Sequence, residues 1–219
     1  MTPRSKVALV AAGVVAASAM AFAVVAEHGD FLKGDPVLAQ LPVGKAAPDF
    51  RAGDVNGRSV RLADFRGKTV VLEWSNPECP TVQKHYDSGN MQKTQAAAAA
   101  DGVVWLTINS SAEGNQGYMT PAEAKAFTAS QQSRRTAYLL DPKGEVGRSY
   151  GATATPHMYV INSGGTLVYN GGIDDKPSTD PADIPGARNH VLAALAELKA
   201  GKPVSVATSR PYGCSVKYG

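Results

Sequence analysis

The run Val70-Val71-Leu72-Glu73-Trp74, closing on Ser75-Asn76-Pro77-Glu78-Cys79-Pro80, constrains this chain more than any other segment. Lys68–Ser75 reads as a near-continuous apolar strand, the pattern of a strand buried on both faces of a sheet. The breaker cluster ends it. Proline is favoured in the first turn of a helix, where its missing N–H is not needed, so Pro80 starts a helix with Cys79 at its mouth. A thiol there faces unpaired backbone N–H groups and the positive end of the helix dipole. Both favour thiolate, the reactive form. The one other cysteine is Cys214, near the C-terminus.

The segments around this strand predict an α/β domain. Asn56-Gly57 is a hairpin turn signal joining Phe50–Val55 to Arg58–Leu62. A helix is expected from Pro80 to about Ala100, and Val103–Asn109 is the next buried strand. Thr120-Pro121-Ala122-Glu123 opens a helix with an N-cap, a first-turn proline and a capping Glu. That helix should run to about Ser133. Tyr138–Leu140 is a short strand, Lys143–Tyr150 a short helix or turn, and Pro156–Asn162 a strand. Ser163-Gly164-Gly165 turns it into an antiparallel partner, Thr166–Tyr169, and Ala187–Ala200 is the last helix. The βαβ portion implies parallel strands and the late hairpin antiparallel ones, so the central sheet should be mixed. No internal repeat is evident.

Arg4 and Lys6 precede an uncharged run, Val7–Ala26, that ends in small-residue spacings. Residues 1–26 read as a signal peptide or an N-terminal membrane anchor, and 27–44 as a linker. The folded domain is expected at 45–200, followed by a tail, 201–219, that carries Cys214. Either reading of the leader places the domain outside the cytoplasm, periplasmic or secreted, where disulfides persist. Two cysteines in an exported chain are by default one structural disulfide. The chain has 219 residues, a net charge of +3 and no Lys/Arg block, which argues against nucleic acid as a partner. The membrane is a partner only through the N-terminal segment, if it is uncleaved.

These residues resemble a known family. The buried strand ending in Trp-Ser-x-x-x-Cys-Pro, with Thr155-Pro156 opening a later strand, looks like the thioredoxin fold. In that fold the first active-site cysteine caps a helix and a cis-proline loop faces it. Ala46-Ala47-Pro48-Asp49-Phe50 resembles the peroxiredoxin branch (alkyl hydroperoxide reductase/thiol-specific antioxidant). Leu167–Asp175, Leu198–Val204 and Gly213–Tyr218 are similar to its peroxiredoxin-like redoxin subgroup. The resemblance implies a thioredoxin-like three-layer fold with an N-terminal β-hairpin extension. It also implies catalytic roles for Cys79, Cys214 and Asn76, and substrate-binding roles for Trp74, Thr155 and Pro156. Trp74 is expected as a wall beside Cys79.

The departures from the family pattern shape the chemistry. Val82 stands where Cys-x-x-Cys proteins have their second cysteine, so no local dithiol exists. Leu72 and Asn76 stand where peroxiredoxins carry Pro and then Thr or Ser, and Arg148 is the nearest candidate for the family arginine. Glu78 opposes ionisation of its neighbouring thiol. The sequence leaves three readings of the cysteines. In the leading one, Cys79 attacks a peroxide, Cys214 or an external thiol resolves the sulfenic acid, and a thioredoxin-like donor reduces the disulfide. The second is thiol–disulfide exchange on a protein disulfide without peroxidase activity. The third is a non-catalytic binding module with a static Cys79–Cys214 bridge, which could contribute about 4–5 kcal/mol by chain entropy. Reach does not separate them, since Gly201–Cys214 can extend roughly 40 Å. The first reading requires no organic cofactor or metal, and the third could include a metal-chaperone role. A Cys79–His157 metal pair has no supporting spacing. His85, His28 and His190 read as satisfied or surface histidines, Val82 and Tyr86 as a core stripe, and Asp174-Asp175 as turn or capping carboxylates.

Overall fold

The computed structural model describes residues 41–219. The expected signal or anchor segment, and most of the expected linker, lie outside the described residues. Nine strands and five α-helices follow in the order β1 (Arg51–Asp54), β2 (Ser59–Arg61), β3 (Val70–Trp74), α1 (Pro80–Asp87), α2 (Asn90–Ala100), β4 (Val104–Asn109), α3 (Pro121–Ser130), β5 (Ala137–Leu140), α4 (Glu145–Tyr150), β6 (Ala154–Thr155), β7 (His157–Ile161), β8 (Leu167–Gly171), α5 (His190–Lys199) and β9 (Cys214–Ser215). Short 3-10 turns add Leu62–Phe65 and Pro181–Gly186.

Seven strands form one mixed sheet, ordered β2-β1-β5-β4-β3-β7-β8. β3, β4 and β5 run parallel, whereas β7 and β8 continue the sheet antiparallel. The N-terminal hairpin extends the β5 edge. Its Asn56-Gly57 turn forms because Asp54 Oδ1 accepts both Asn56 N–H and Arg58 N–H at 2.8 Å, while Gly57 takes φ +78°. This is the three-layer α/β architecture the sequence implied.

Residue alternation divides the core into two clusters, one on each face of the sheet. Leu72, Trp74, Leu106, Ile108, Leu139, Tyr159 and Ile161 pack on one face with Tyr150 and Val146 of α4. Val71, Trp105, Met158 and Val160 pack on the other with Cys79, Val82 and Tyr86 of the α1 segment, Met91 and Ala98 of α2, and Val191, Ala194 and Leu195 of α5. β3 and β4 are buried along their full length, which is why they read as nearly unbroken apolar runs.

The structure departs from the sequence reading in three places. The single helix expected from Pro80 to Ala100 is broken in two, because Gly89 adopts φ +73° between Ser88 and Asn90, a left-handed conformation that ends helices. The expected Thr120 capping box forms, with Thr120 N–H donating to Glu123 Oε2 at 2.8 Å, but α3 stops at Ser130. Finally, the tail is part of the fold: Cys214–Ser215 pairs antiparallel with Ala154–Thr155 as a separate two-stranded sheet.

Glu73, the one acid in the β3 run, is fully buried beneath α1. Its oxygens accept from Tyr86 Oη (2.7 Å), Trp105 Nε1 (2.7 Å), Thr107 Oγ1 (3.0 Å) and Gln95 Nε2 (3.3 Å). Tyr86 Oη in turn accepts from Arg135 Nη2 at 3.3 Å, so the helix behind Cys79 is tied to β3, β4 and the start of β5. Removing the shared acceptor would orphan several buried donors. Glu73→Ala should therefore cost about 3 kcal/mol or more in denaturant unfolding, and Glu73→Gln distinctly less, because an amide oxygen still accepts.

Candidate active site

The Cys79 backbone is the N-cap of α1, in extended conformation with Pro80 at the first helical position. Its carbonyl accepts Gln83 N–H at 2.9 Å, and its own N–H donates to Asn76 O at 3.1 Å. The helix-mouth placement follows from the local sequence. What surrounds the sulfur does not.

Cys79 is 0% exposed. Its Sγ donates to Thr155 O at 3.1 Å and accepts Cys214 N–H at 3.4 Å. The Thr155–Pro156 peptide is cis. Thr155 and Cys214 are register partners in the β6–β9 pair, and Thr155 Oγ1 donates to Cys214 O at 3.4 Å. The C-terminal arm thus lies across the mouth of α1 and covers the sulfur. Gly213 permits this approach: a Cβ there would sit 2.0 Å from Thr155 O, and its φ is +119°. Beyond Cys214 the arm is pinned by Val216 N–H to Thr153 O (3.2 Å), Ala112 N–H to Lys217 O (2.8 Å) and Tyr218 Oη to Ala152 O (2.8 Å).

The two thiols are free and differ in acidity. Burial works against ionisation of Cys79. Hydrogen bonds from the Cys214 thiol, the Thr155 side chain and the backbone N–H groups of Val82 and Cys214 outweigh it and hold the thiol below its ordinary value. Cys214 is pushed up to about 11, by burial first and then by its bond to Cys79 and the negative charge there. Cys79 is thus the more acidic of the two thiols, with the less acidic Cys214 beside it. An acidic thiol beside a less acidic one is a pair that can support thiol–disulfide chemistry.

Asn76 is buried but does not contact the sulfur through its side chain. Its Oδ1 accepts Glu78 N–H at 2.8 Å and its Nδ2 donates to Gln116 O at 3.2 Å. It shapes the turn before Cys79 and ties it to the loop after β4. Gly117 (φ +80°) is needed there, since a Cβ would fall 2.1 Å from Asn76 Oδ1. Sequence reasoning missed Gly117, for its partner lies in a distant loop.

Trp74 is not a wall beside Cys79. It projects from the opposite face of the sheet, packing against Tyr150 and Tyr159 at centroid distances of 5.5 and 5.1 Å, with Nε1 donating to Ser110 Oγ at 3.1 Å. Strand alternation accounts for this: Trp74 shares the face of Leu72, and the Cys79 cluster takes the face of Val71 and Glu73. Thr155 and Pro156 do lie at the sulfur, but both are buried under the arm. Arg148 is committed elsewhere, donating to Lys143 O (2.7 Å) and Gly219 O (2.6 Å) and lying 4.6 Å over the Tyr218 ring. It anchors the end of the arm. His157 is buried, with Nε2 bonded to Asn170 Oδ1 at 2.7 Å and Nδ1 accepting Thr153 N–H at 3.2 Å. Burial brings it down to about 4, and both ring nitrogens are occupied. Among the described residues no group of three or more His, Cys, Asp or Glu could hold a metal ion.

The AhpC/TSA family model matches residues 43–170, more than half of the chain. The chain belongs to the AhpC/TSA family. It is similar to the thiol-disulfide oxidoreductase ResA of Bacillus cereus, 24% identical over 129 residues that cover 59% of this chain and 69% of the relative. A hypothetical protein of Sinorhizobium meliloti has a similar structure, with a TM-score of 0.69 at 24% identity over 83% of this chain and 97% of that one. A structure described as a putative thiol:disulfide interchange protein DsbE, from Chlorobium tepidum, matches with a TM-score of 0.50 at 26% identity, over 60% of this chain and 85% of that one. The match of this AhpC/TSA chain to its family ends at residue 170, so the arm with Cys214 lies outside it.

The interaction between the two thiols predicts reciprocal titrations, readable from thiolate ultraviolet absorbance. Cys214→Ala removes a donor to the Cys79 thiolate, so the Cys79 midpoint moves to higher pH than in the wild type. Cys79→Ser removes the neighbouring negative charge, so the Cys214 midpoint falls below about 11. Midpoints unchanged from the wild type in both variants would show that the two thiols do not interact.

Proposed function

We propose that this protein is a thiol–disulfide oxidoreductase outside the cytoplasm that uses Cys79 as nucleophile and Cys214 as its resolving partner. The observation that carries the reading is the contact between the two cysteines: Cys214 is paired with Thr155 and its N–H meets Cys79 Sγ at 3.4 Å. The relatives described as thiol-disulfide oxidoreductases support exchange. The extracytoplasmic location rests on the Val7–Ala26 run.

In the reductive direction, the Cys79 thiolate attacks one sulfur of a protein disulfide. The substrate S–S bond breaks, a mixed disulfide forms, and one substrate thiolate leaves. Cys214 then loses its proton and attacks Cys79 Sγ, closing Cys79–Cys214 and releasing the second substrate thiolate. A thioredoxin-like dithiol returns two electrons to the pair, and the same steps in reverse oxidise a substrate dithiol. The arm must lift for the first step, because Cys79 has no exposed surface while Thr155 is paired with Cys214. The Thr155 backbone edge that the arm vacates is where an extended substrate would pair.

Exchange is favoured over peroxide reduction by the surroundings of the sulfur. The Asn76 amide is spent on Glu78 N–H and Gln116 O, and Arg148 on Lys143 O and Gly219 O. Neither is left to bind and polarise a peroxide beside Cys79. Purified protein should reduce a model protein disulfide with a dithiol donor, and Cys79→Ser should lower that rate at least about a hundredfold by removing the nucleophile. Cys214→Ala should accumulate the mixed disulfide, visible by intact mass. Efficient peroxide consumption with no exchange would reverse the assignment, and failure of Cys214→Ala to trap an adduct would remove Cys214 from the cycle.

A further inference from the structure

The arm is held on both sides of Cys214. On the C-terminal side the attachments are backbone pairs and the Tyr218 and Arg148 contacts described above. On the N-terminal side, Ser209 Oγ accepts Gly172 N–H at 2.9 Å and meets Tyr169 Oη at 2.7 Å, and two residues before Cys214 the Tyr212 side chain enters a buried polar cluster. Tyr212 Oη donates to Asp174 Oδ1 at 2.5 Å and lies 3.2 Å from His85 Nε2. His85 is 0% exposed and belongs to α1, the helix that Cys79 caps. Its Nδ1 is 2.8 Å from Asn90 Nδ2.

One assignment gives each of these bonds a single proton. Asn90 Nδ2–H donates to His85 Nδ1, His85 Nε2–H donates to Tyr212 Oη, and Tyr212 O–H donates to Asp174. Burial brings His85 down to about 4, in keeping with the neutral ring this chain requires. Lys84 lies 6.0 Å over the Tyr212 ring, but its ammonium is used by Lys176 O, Ser178 O and Ser178 Oγ. Asp174 Oδ2 faces His85 at 4.0 Å without a hydrogen bond. The bond network therefore runs from the nucleophile's helix, through His85 and Tyr212, to the segment that presents Cys214.

The other side of this segment is open. Pro211, Tyr212 and Gly213 border a cleft of about 520 Å³ lined also by Asp174, Asp175, Pro177 and His190. Open space therefore lies beside residues 211–213, and withdrawal of this segment is what access to Cys79 requires.

We propose that Tyr212 is a positioning residue for the redox pair: docked on His85 and Asp174 it sets Cys214 against Cys79, and it undocks when a substrate reaches Cys79. This rests on the exchange reading. Docking raises the effective concentration of the Cys214 thiol at Cys79, and the same contact slows entry of outside reagents.

The test uses the full chain and Tyr212→Phe, which keeps the ring and removes the hydroxyl. Equilibration with glutathione should show the Cys79–Cys214 disulfide about tenfold less favoured than in the wild type, a potential about 30 mV less reducing. In the reduced protein, iodoacetamide should modify Cys79 several-fold faster. Asp174→Asn, which retains an acceptor for Tyr212, should leave both readouts close to the wild type. If Tyr212→Phe does not fold, Asp174→Ala, which removes the acceptor, carries the same expectations. Unchanged disulfide stability and unchanged alkylation in a folded variant overturn the proposal. If the wild type forms no Cys79–Cys214 disulfide, the exchange reading fails; alkylation then decides the docking role by itself, an unchanged rate overturning it.

Discussion

A thiol sealed from water has to find its solvation in the protein, and Cys79 finds it partly in the C-terminal arm. Burial by itself makes a buried cysteine inert by penalising the thiolate. Here four donors reverse that penalty, and two of them, the thiol and the backbone N–H of Cys214, belong to the arm. The segment that makes the sulfur acidic is the one that denies it to solvent. The acidity and the burial of the sulfur are therefore both set by one piece of chain.

The rest of the fold makes that contact possible. β6 ends at the cis peptide and lies outside the main sheet, and an unpaired strand edge is a template for another strand. The arm takes it in the register that sets Cys214 opposite Thr155. Gly213 removes the side chain that would strike the Thr155 carbonyl. On the far side of the sheet, the Trp74–Tyr150–Tyr159 cluster fixes the end of β3. Behind α1, the buried oxygens of Glu73 gather donors from four side chains, anchoring the helix whose mouth holds the sulfur.

Much of this architecture is legible in the sequence because it is local or periodic. Continuous apolar runs mark β3 and β4, Asn56-Gly57 marks the hairpin, and Thr120-Pro121 with Glu123 marks the start of α3. Pro80 places Cys79 at a helix mouth. The misreadings have equally physical origins. Ser88-Gly89 sits inside an otherwise helical stretch, and only its left-handed backbone reveals the break. Trp74 is adjacent in sequence to the active-site turn, yet strand alternation sends it to the opposite face. Arg148 lies close before Thr155-Pro156 in the chain, but its guanidinium is captured by the last residues of the arm.

The sequence by itself determined the α/β class, the helix-mouth cysteine and the absence of a local resolving partner, since each depends on residues a few positions apart. It could not decide where Cys214 lies. That cysteine is separated from Cys79 by most of the domain, and sequence distance says only that a tail can reach. Tertiary structure decided it, because the free edge of β6, the space left by Gly213 and the buried His85–Tyr212–Asp174 cluster come together only when the chain is folded. Their combined geometry, which no segment encodes alone, brings the second sulfur to the first.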